Sequence, residues 1–297
     1  MAARSPEAVL RRVEFRIARR LDGLLQGERR GRRPGPGGEP ALTRAYEPGD
    51  DVRWVDWPLS ARLGEATVRV PEIEPVLTAW ALVDASPSMT YGTFAETKLQ
   101  LAQEVVAGVA TVLRRRGDRL GAIVTLAGDL DVVRPPRGDR RGVIAAVAAV
   151  RGGMEESPPG RTDLARAVTG LGRLARHRGA AVILSDFPQQ DGLELALGTL
   201  ARRQEIVAVE LRDPRERDLP PVGPINLRDV ETGEQRLVDT ADPRFQRRFA
   251  AVVAEADAAR AAMLARVGAR HVVVETGADW LVPLGRALER PRRKRVA

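Results

Sequence analysis

The sequence contains no cysteine and only two histidines, His177 and His271, among its 297 residues. The absence of cysteine excludes a disulfide framework, a zinc–thiolate site, an iron–sulfur cluster and thiol catalysis. Two histidines leave little room for a histidine metal site or an imidazole general base. A chain of this length buries a large core without needing a covalent or metal staple to fold.

Long apolar runs are also missing. No segment reaches the ~18–20 uncharged apolar residues that a membrane-spanning helix needs. Arginines interrupt the apolar residues near the N-terminus, which therefore lacks the continuous apolar core of a signal peptide. We expect a cytoplasmic protein, although an arginine-rich amphipathic helix at the N-terminus leaves peripheral membrane contact open.

Lysine is scarce, since only Lys98 and Lys294 occur among 48 basic residues. The net charge of +8 is concentrated at the two ends: residues 1–44 carry +6 and residues 290–297 carry +5, which leaves −3 for the rest. Because the middle of the chain is nearly neutral, we expect no specific nucleic-acid binding. Binding of nucleic acid or an anionic surface through the basic tails stays an alternative.

Spacing and composition divide the chain into segments. Apolar residues from Leu10 to Leu24 recur every three or four positions, which predicts an amphipathic helix over residues 1–26. Residues 27–40 are rich in Gly, Pro and Arg and are typical of a linker. Because this linker has little to bury, we expect removal of residues 1–38 to leave the main domain folded. Residues 290–297 form a basic tail.

Residues 77–289 alternate between apolar runs and amphipathic segments. Short apolar runs that end in polar residues are typical of parallel strands buried on both faces. The pattern predicts an α/β fold with a doubly wound, mostly parallel sheet. Within this domain, residues 213–241 are polar and predict a small β-hairpin insertion.

Polar residues follow the predicted strands where ligands bind in such sheets, beyond the strands' carboxyl ends. Asp84, Ser86 and Ser88 follow the first buried strand, Asp186 follows the third, and Thr162 begins a helix between them. Two carboxylates and three hydroxyls are oxygen ligands of the kind that Mg²⁺ prefers, and Mn²⁺ could replace it. Such a set leaves an open coordination position. The alternative is that these side chains only cap local turns.

These five residues resemble the metal-ion-dependent adhesion site of the von Willebrand factor type A fold. The match consists of Asp84-x-Ser86-x-Ser88, Thr162 within Gly-x-Thr-Asp-Leu, and Asp186 after an apolar strand. The resemblance implies a type A-like, Rossmann-like fold. It also implies that the three hydroxyl residues bind the metal directly and that the two aspartates act mainly through water.

A second resemblance lies in residues 41–76. The stretch from Arg44 to Trp57, followed by Ser60-Ala61-Arg62, resembles the signature of the domain-of-unknown-function 58 family. These bacterial and archaeal proteins carry a type A domain and are typically encoded near a MoxR-type AAA+ ATPase. The resemblance implies an adaptor or co-chaperone that works with this ATPase in maturation of a client protein presenting Asp or Glu.

The segment has two interpretations of its own. We expect its charged residues to form a network that docks it on the main domain, with Trp54 and Trp57 as packing anchors. Contact with a partner is the alternative. For the whole protein we expect a non-enzymatic role, and the alternative is a metal-dependent hydrolase or phosphoryl-transfer enzyme. The sequence offers no phosphate loop, general base or second metal cluster for that chemistry.

Overall fold

A computed structural model describes residues 5–27, 41–71, 76–93, 96–156, 162–228 and 233–289. The basic tail and most of the predicted linker lie outside these residues. The chain forms two compact units: a main unit of Met1–Arg19 with Leu77–Ala297, and a small unit of Arg20–Val76. Each is described by itself.

The described residues form helices and strands in the following order. The helices are α1 (Pro6–Gly27), α2 (Trp57–Leu63), α3 (Lys98–Arg115), α4 (Arg140–Glu156), α5 (Leu164–Leu174), α6 (Leu193–Ala201), α7 (Pro243–Arg266) and α8 (Leu281–Glu289). The strands are β1 (Ala41–Ala45), β2 (Thr67–Pro71), β3 (Thr78–Asp84), β4 (Arg119–Thr125), β5 (Val132–Arg137), β6 (Gly179–Ser185), β7 (Gln204–Arg212), β8 (Pro224–Arg228), β9 (Gln235–Asp239) and β10 (Arg270–Glu275). None of these helices is long and apolar enough to cross a bilayer.

The main unit is built on a six-stranded sheet of order β10-β7-β6-β3-β4-β5. Every neighbouring pair is parallel except β4 with β5 at one edge. Within this sheet the chain runs from β3 through β4 to the edge strand β5. It then crosses to the other side of β3, where β6, β7 and β10 follow in order. This order confirms the predicted doubly wound, type A-like α/β fold, and it puts the switch point between β3 and β6.

Two apolar layers cover the sheet. Ala79, Ala81 and Val83 of β3 belong to the layer shared with α1, α3, α4 and α8. Trp80 and Leu82 belong to the layer shared with α5, α6 and α7. Because successive side chains of a strand point to opposite faces, one apolar strand supplies both layers. The predicted hairpin insertion is confirmed as β8 paired antiparallel with β9.

Helix α1 is part of the main core. Val9, Leu10, Val13 and Ile17 are all buried in the first layer. The guanidinium of Arg16 lies 5.3 Å from the centre of the Trp280 ring, which belongs to the same layer. These buried side chains count against the expectation that the main domain folds without residues 1–38, and the outcome of the deletion itself stays a prediction. That expectation considers only the linker, whereas the described part of the helix before it buries four apolar side chains.

The small unit contains short elements that the sequence pattern did not predict. Strand β1 pairs antiparallel with β2, and α2 lies between them in sequence. Arg44 pairs with Asp50, with Nη2 2.6 Å from Oδ1, so this charge pair is satisfied inside the unit. Trp54 and Trp57 are 53% and 68% exposed. The docking role predicted for this segment stays a prediction.

Candidate metal centre

The predicted site residues lie at the switch point of the sheet. Asp84 is the last residue of β3, and Asp186 directly follows β6. These strands are parallel neighbours, with Val83 opposite Leu184. Because the carboxyl ends of parallel neighbours meet at one edge, residues 102 positions apart in sequence come together here.

Asp84 is fully buried and is held by neutral donors. Its Oδ1 accepts the Ser86 backbone N–H at 2.9 Å, and its Oδ2 accepts the Ser185 hydroxyl at 2.7 Å. The Oγ atoms of Ser86 and Ser88 lie 3.0 Å apart. Three of the predicted ligands therefore form one polar network. Ser185, which fixes the carboxylate, was not predicted.

The two oxygens of Asp186 have different surroundings. Oδ2 accepts from the ammonium of Lys98 at 3.0 Å, while Oδ1 is buried and has no hydrogen-bond partner. A buried carboxylate oxygen without a donor is costly, and such an atom in a native site points to a missing ion or water. The unpartnered oxygen is the strongest structural indication that a cation binds at this strand end.

Lys98 is the first residue of α3 and was not predicted to be part of the site. Its ammonium also lies 2.7 Å from Oε1 of Glu216, in the turn after β7. Burial disfavours the charged ammonium, but Asp186 and Glu216 outweigh this effect and raise the pKa of Lys98. Lys98 is therefore a charged side chain held inside the site.

The electrostatics of Asp84 also indicate a shortage of positive charge. Burial, followed by repulsion from Asp186, raises the pKa of Asp84 to about 6. Hydrogen bonds from Ser185 and Ser86 act in the opposite direction but do not cancel it. Two carboxylates close together in a buried place are stabilised by a bound cation, since opposite charge favours their ionised forms.

Thr162 reaches the same sheet edge from the start of α5. Its hydroxyl donates to the carbonyl of Leu126 at 2.8 Å, which leaves the oxygen lone pairs available for a metal. Leu126 follows Thr125, whose carbonyl accepts the N–H of Ala85 at 2.8 Å. The side-chain amide of Gln190 donates to the Thr162 carbonyl. The structure thus places Thr162 beside the strand end that carries Asp84.

A cleft of about 750 Å³ adjoins Thr162. Its other walls come from the segment after β6, including Phe187, and from α7, including Arg260. Phe187 has a left-handed backbone with a φ of 49°. Its carbonyl accepts the Nε of Arg260 at 3.1 Å, which helps to hold this conformation. The cleft therefore borders the candidate centre on the side of Thr162.

The donor set fits a hard divalent cation. It combines hydroxyl oxygens with two carboxylates, one of which has a buried free oxygen. Across the described residues, no three His, Asp or Glu side chains are grouped as a metal site. A cation here would therefore need the hydroxyls of Ser86, Ser88 and Thr162 in addition to the two carboxylates, and this ligand set stays a prediction.

Comparison with known proteins places the chain in a family. The family described as "Protein of unknown function DUF58" matches residues 42–259. The chain belongs to the DUF58 family. This DUF58 protein is 36% identical over 293 residues to uncharacterized proteins of Mycobacterium bovis and Mycobacterium tuberculosis, and the match covers 98% of this chain and 91% of each relative.

Solved structures are similar at lower identity. BatB from Bacteroides thetaiotaomicron has 15% identity and a TM-score of 0.45, with 71% of this chain and 96% of that chain covered. The SpRpn10 VWA domain has 14% identity and a TM-score of 0.38, with 71% and 94% covered. The assignment of the fold of this DUF58 protein rests on its own strand order.

Proposed function

We propose that this DUF58 protein is a non-enzymatic interaction protein that binds a partner through one divalent cation, Mg²⁺ or Mn²⁺. The residues that would hold the cation are Asp84, Ser86, Ser88, Thr162 and Asp186. The observation that carries the proposal is the buried, unpartnered Oδ1 of Asp186 beside the buried carboxylate of Asp84. This pair of carboxylates has too little positive charge around it.

The side chains divide the work between holding and presenting the cation. Ser86, Ser88 and Thr162 supply neutral oxygens, and Ser185 keeps Asp84 oriented. Two carboxylates and three hydroxyls do not fill and neutralise a closed cage around a six-coordinate ion. When bound, the cation supplies a positive centre with an open position. An Asp or Glu side chain of a partner has the charge and geometry to complete it.

Binding is favoured over catalysis by the side chains around the centre. Lys98, at the centre, is ion-paired to two carboxylates, so its ammonium is not a ready general base. The imidazole of His271, another group that could act as a general base, is engaged by Glu210, with Nε2 2.7 Å from Oε2. We therefore propose that the cation serves to capture a carboxylate, and hydrolysis or phosphoryl transfer by the purified protein would contradict this.

We further propose that the partner system is a MoxR-type AAA+ ATPase together with a client protein that presents Asp or Glu. The support is the resemblance of the segment from Arg44 to Arg62 and membership of the DUF58 family. In this system the protein would act as an adaptor or co-chaperone during client maturation.

Metal binding is tested by thermal unfolding of the full chain in EDTA and in millimolar Mg²⁺ or Mn²⁺. A ligand selective for the native state raises the melting temperature. We expect this rise in the wild type and its loss in Ser86→Ala and Asp84→Asn. Asp191→Asn, which removes an exposed carboxylate from the adjoining cleft, is the matched control and should keep the rise. Equal melting temperatures with and without metal in the wild type would contradict the site.

Partner binding is tested by affinity capture from the native host, with Mg²⁺ or with EDTA. We expect the ATPase or a client to be retained by the wild type in Mg²⁺, and to be lost in EDTA and in Ser86→Ala. Retention that ignores EDTA but falls steeply with salt would favour the alternative of anionic ligands bound by the basic tails.

A further inference from the structure

Lys98 is exceptional in this chain. Lysine occurs at only two of 48 basic positions, and Lys98 is the only one of the two that lies among the described residues. Its side chain is 1% exposed, which is rare for lysine. A lysine ammonium is a compact point charge, whereas the guanidinium of arginine is a wide planar fork. Lys98 therefore puts a compact positive charge in a buried place.

The contacts of Lys98 place this charge on one side of the candidate centre. Its ammonium binds Oδ2 of Asp186 at 3.0 Å and Oε1 of Glu216 at 2.7 Å. The other oxygen of Asp186 is the buried atom without a partner. One carboxylate is thus shared between a resident ammonium and the place where a divalent cation would bind.

Glu216 is the second carboxylate that pairs with the ammonium of Lys98. It belongs to the 3₁₀ turn Pro214–Glu216, and its side chain is 35% exposed. Lys98, Glu216, Asp84 and Asp186 together carry one positive and three negative charges when ionised. The excess of two negative charges matches a single divalent ion, and removing either member of the Lys98–Glu216 pair shifts this balance in a known direction.

We propose that Lys98 is a resident cation that weakens divalent-metal binding at this centre, and that Glu216 limits this effect by pairing with it. The inference rests on the proposed function and concerns the regulation of the same site. The ammonium that binds the shared carboxylate repels the metal and competes with it for Asp186. The free protein then holds metal weakly, and a partner carboxylate that completes the coordination tightens it, so metal and partner bind cooperatively.

A purely positioning role for Lys98 makes the opposite prediction. If the ammonium served only to orient Asp186 toward the metal, its removal would weaken metal binding. If it competes with the metal, its removal strengthens binding. The sign of the change in affinity therefore separates the two roles, and a loss of general stability cannot mimic tighter binding.

The test is a titration of the full-length protein with Mn²⁺ alone, in which electron paramagnetic resonance measures the concentration of free Mn²⁺ at each step. For Lys98→Met we expect roughly tenfold tighter binding than in the wild type, because one repelling charge is gone. For Glu216→Gln we expect weaker binding, by several-fold. Asp218→Asn is the control, because it removes one negative charge from an exposed position two residues further along, and it should change the affinity by less than about twofold.

Each outcome decides a different statement. If the wild type binds Mn²⁺ and Lys98→Met binds it equally well or more weakly, the inference is overturned and the proposed function still stands. If neither the wild type nor Lys98→Met binds Mn²⁺, the inference and the proposed metal centre both fail. If Lys98→Met does not fold, the comparison of Glu216→Gln with Asp218→Asn decides, and equal affinities in these two variants overturn the inference.

Discussion

Two buried carboxylates in the same sheet have opposite environments. Asp84, at the end of β3, accepts from the backbone N–H of Ser86 and the hydroxyl of Ser185, and both of these donors are neutral. Glu210, on β7, is 1% exposed and accepts from Arg212 at 2.5 Å and from Arg260 at 2.7 Å through Oε1. Its second oxygen lies 2.7 Å from Nε2 of His271. Glu210 thus has two arginines and a histidine as side-chain partners, whereas the donors to Asp84 carry no charge.

The pKa directions follow from this difference. Burial acts to raise the pKa of Glu210, but hydrogen bonds from His271 and Arg212 and the charge of Arg260 lower it to about 2. For Asp84, burial and the neighbouring Asp186 raise the pKa to about 6. A buried charge that is already paired supports the fold, whereas one that lacks a partner marks a place where a ligand can bind.

The largest effect is expected from removing the carboxylate of Glu210, which Arg212, Arg260 and His271 share. Glu210→Ala leaves Arg212 and Arg260 short of their shared carboxylate, and we expect it to lower the free energy of unfolding by about 3–5 kcal/mol. Urea denaturation measures this loss, which Mg²⁺ should not restore. Glu205→Gln, which breaks the more exposed pair with Arg270, is the control and should cost less than about 1 kcal/mol. Equal losses in both variants would remove the distinction between the two carboxylates.

The second prediction concerns the pH dependence set by Asp84. Its pKa is raised in the folded state, so the folded protein binds the extra proton between about pH 4 and pH 6. Without metal, the stability contributed by this group therefore increases as the pH falls from 7 toward 4, by about 2–3 kcal/mol at most. Asp84→Asn should flatten this part of the profile and be at least as stable as the wild type at pH 7. Thermal unfolding in EDTA across this pH range measures both effects, and a wild-type profile that Asp84→Asn leaves unchanged would contradict the assignment.

A smaller effect should come from the loop that positions Thr162. Gly128 has a φ of 106°, and a Cβ there would lie 2.8 Å from the carbonyl oxygen of Asp163. We expect Gly128→Ala to cost about 1–2 kcal/mol and to reduce the stabilisation by Mg²⁺, because it displaces the turn that carries Thr162. Gly117→Ala has a comparable φ of 80° with no atom within 4 Å of the added Cβ, so it should lose stability but keep the full metal effect. The two melting-temperature shifts in Mg²⁺ separate backbone strain from damage to the centre.

The strand ends were predictable, and the groups that complete the site were not. Asp84 and Asp186 follow apolar runs, and the rule that parallel strands share one carboxyl edge brings them together without further information. Lys98 and Glu216 are 118 positions apart and neither lies at the end of a predicted strand. Their contact depends on how α3 and the turn after β7 pack, which no local pattern contains. Ser185 closes the same apolar run that Asp186 follows, yet nothing in its sequence context shows that its hydroxyl donates to Asp84.

The same limit explains the outcome for α1 and for the small unit. The spacing of Leu10, Val13 and Ile17 predicted the helix, but an apolar stripe does not say which surface covers it. Strands β1 and β2 are five residues each and mix polar with apolar side chains. Such short strands are stabilised by their pairing, which a single segment does not reveal. The bound metal, the ATPase and the client stay predictions.

Helix α1 has a consequence for how the protein reaches its native state. Arg16 binds Asp279, 263 positions away, and also binds Glu104 of α3. The contact between Arg16 and Asp279 joins an early and a late part of the chain, so it cannot form until the segment before α8 has emerged from the ribosome. A nascent chain can therefore cover α1 with α3 and α4 early, but the contact between Arg16 and Asp279 is among the last in the main unit to form.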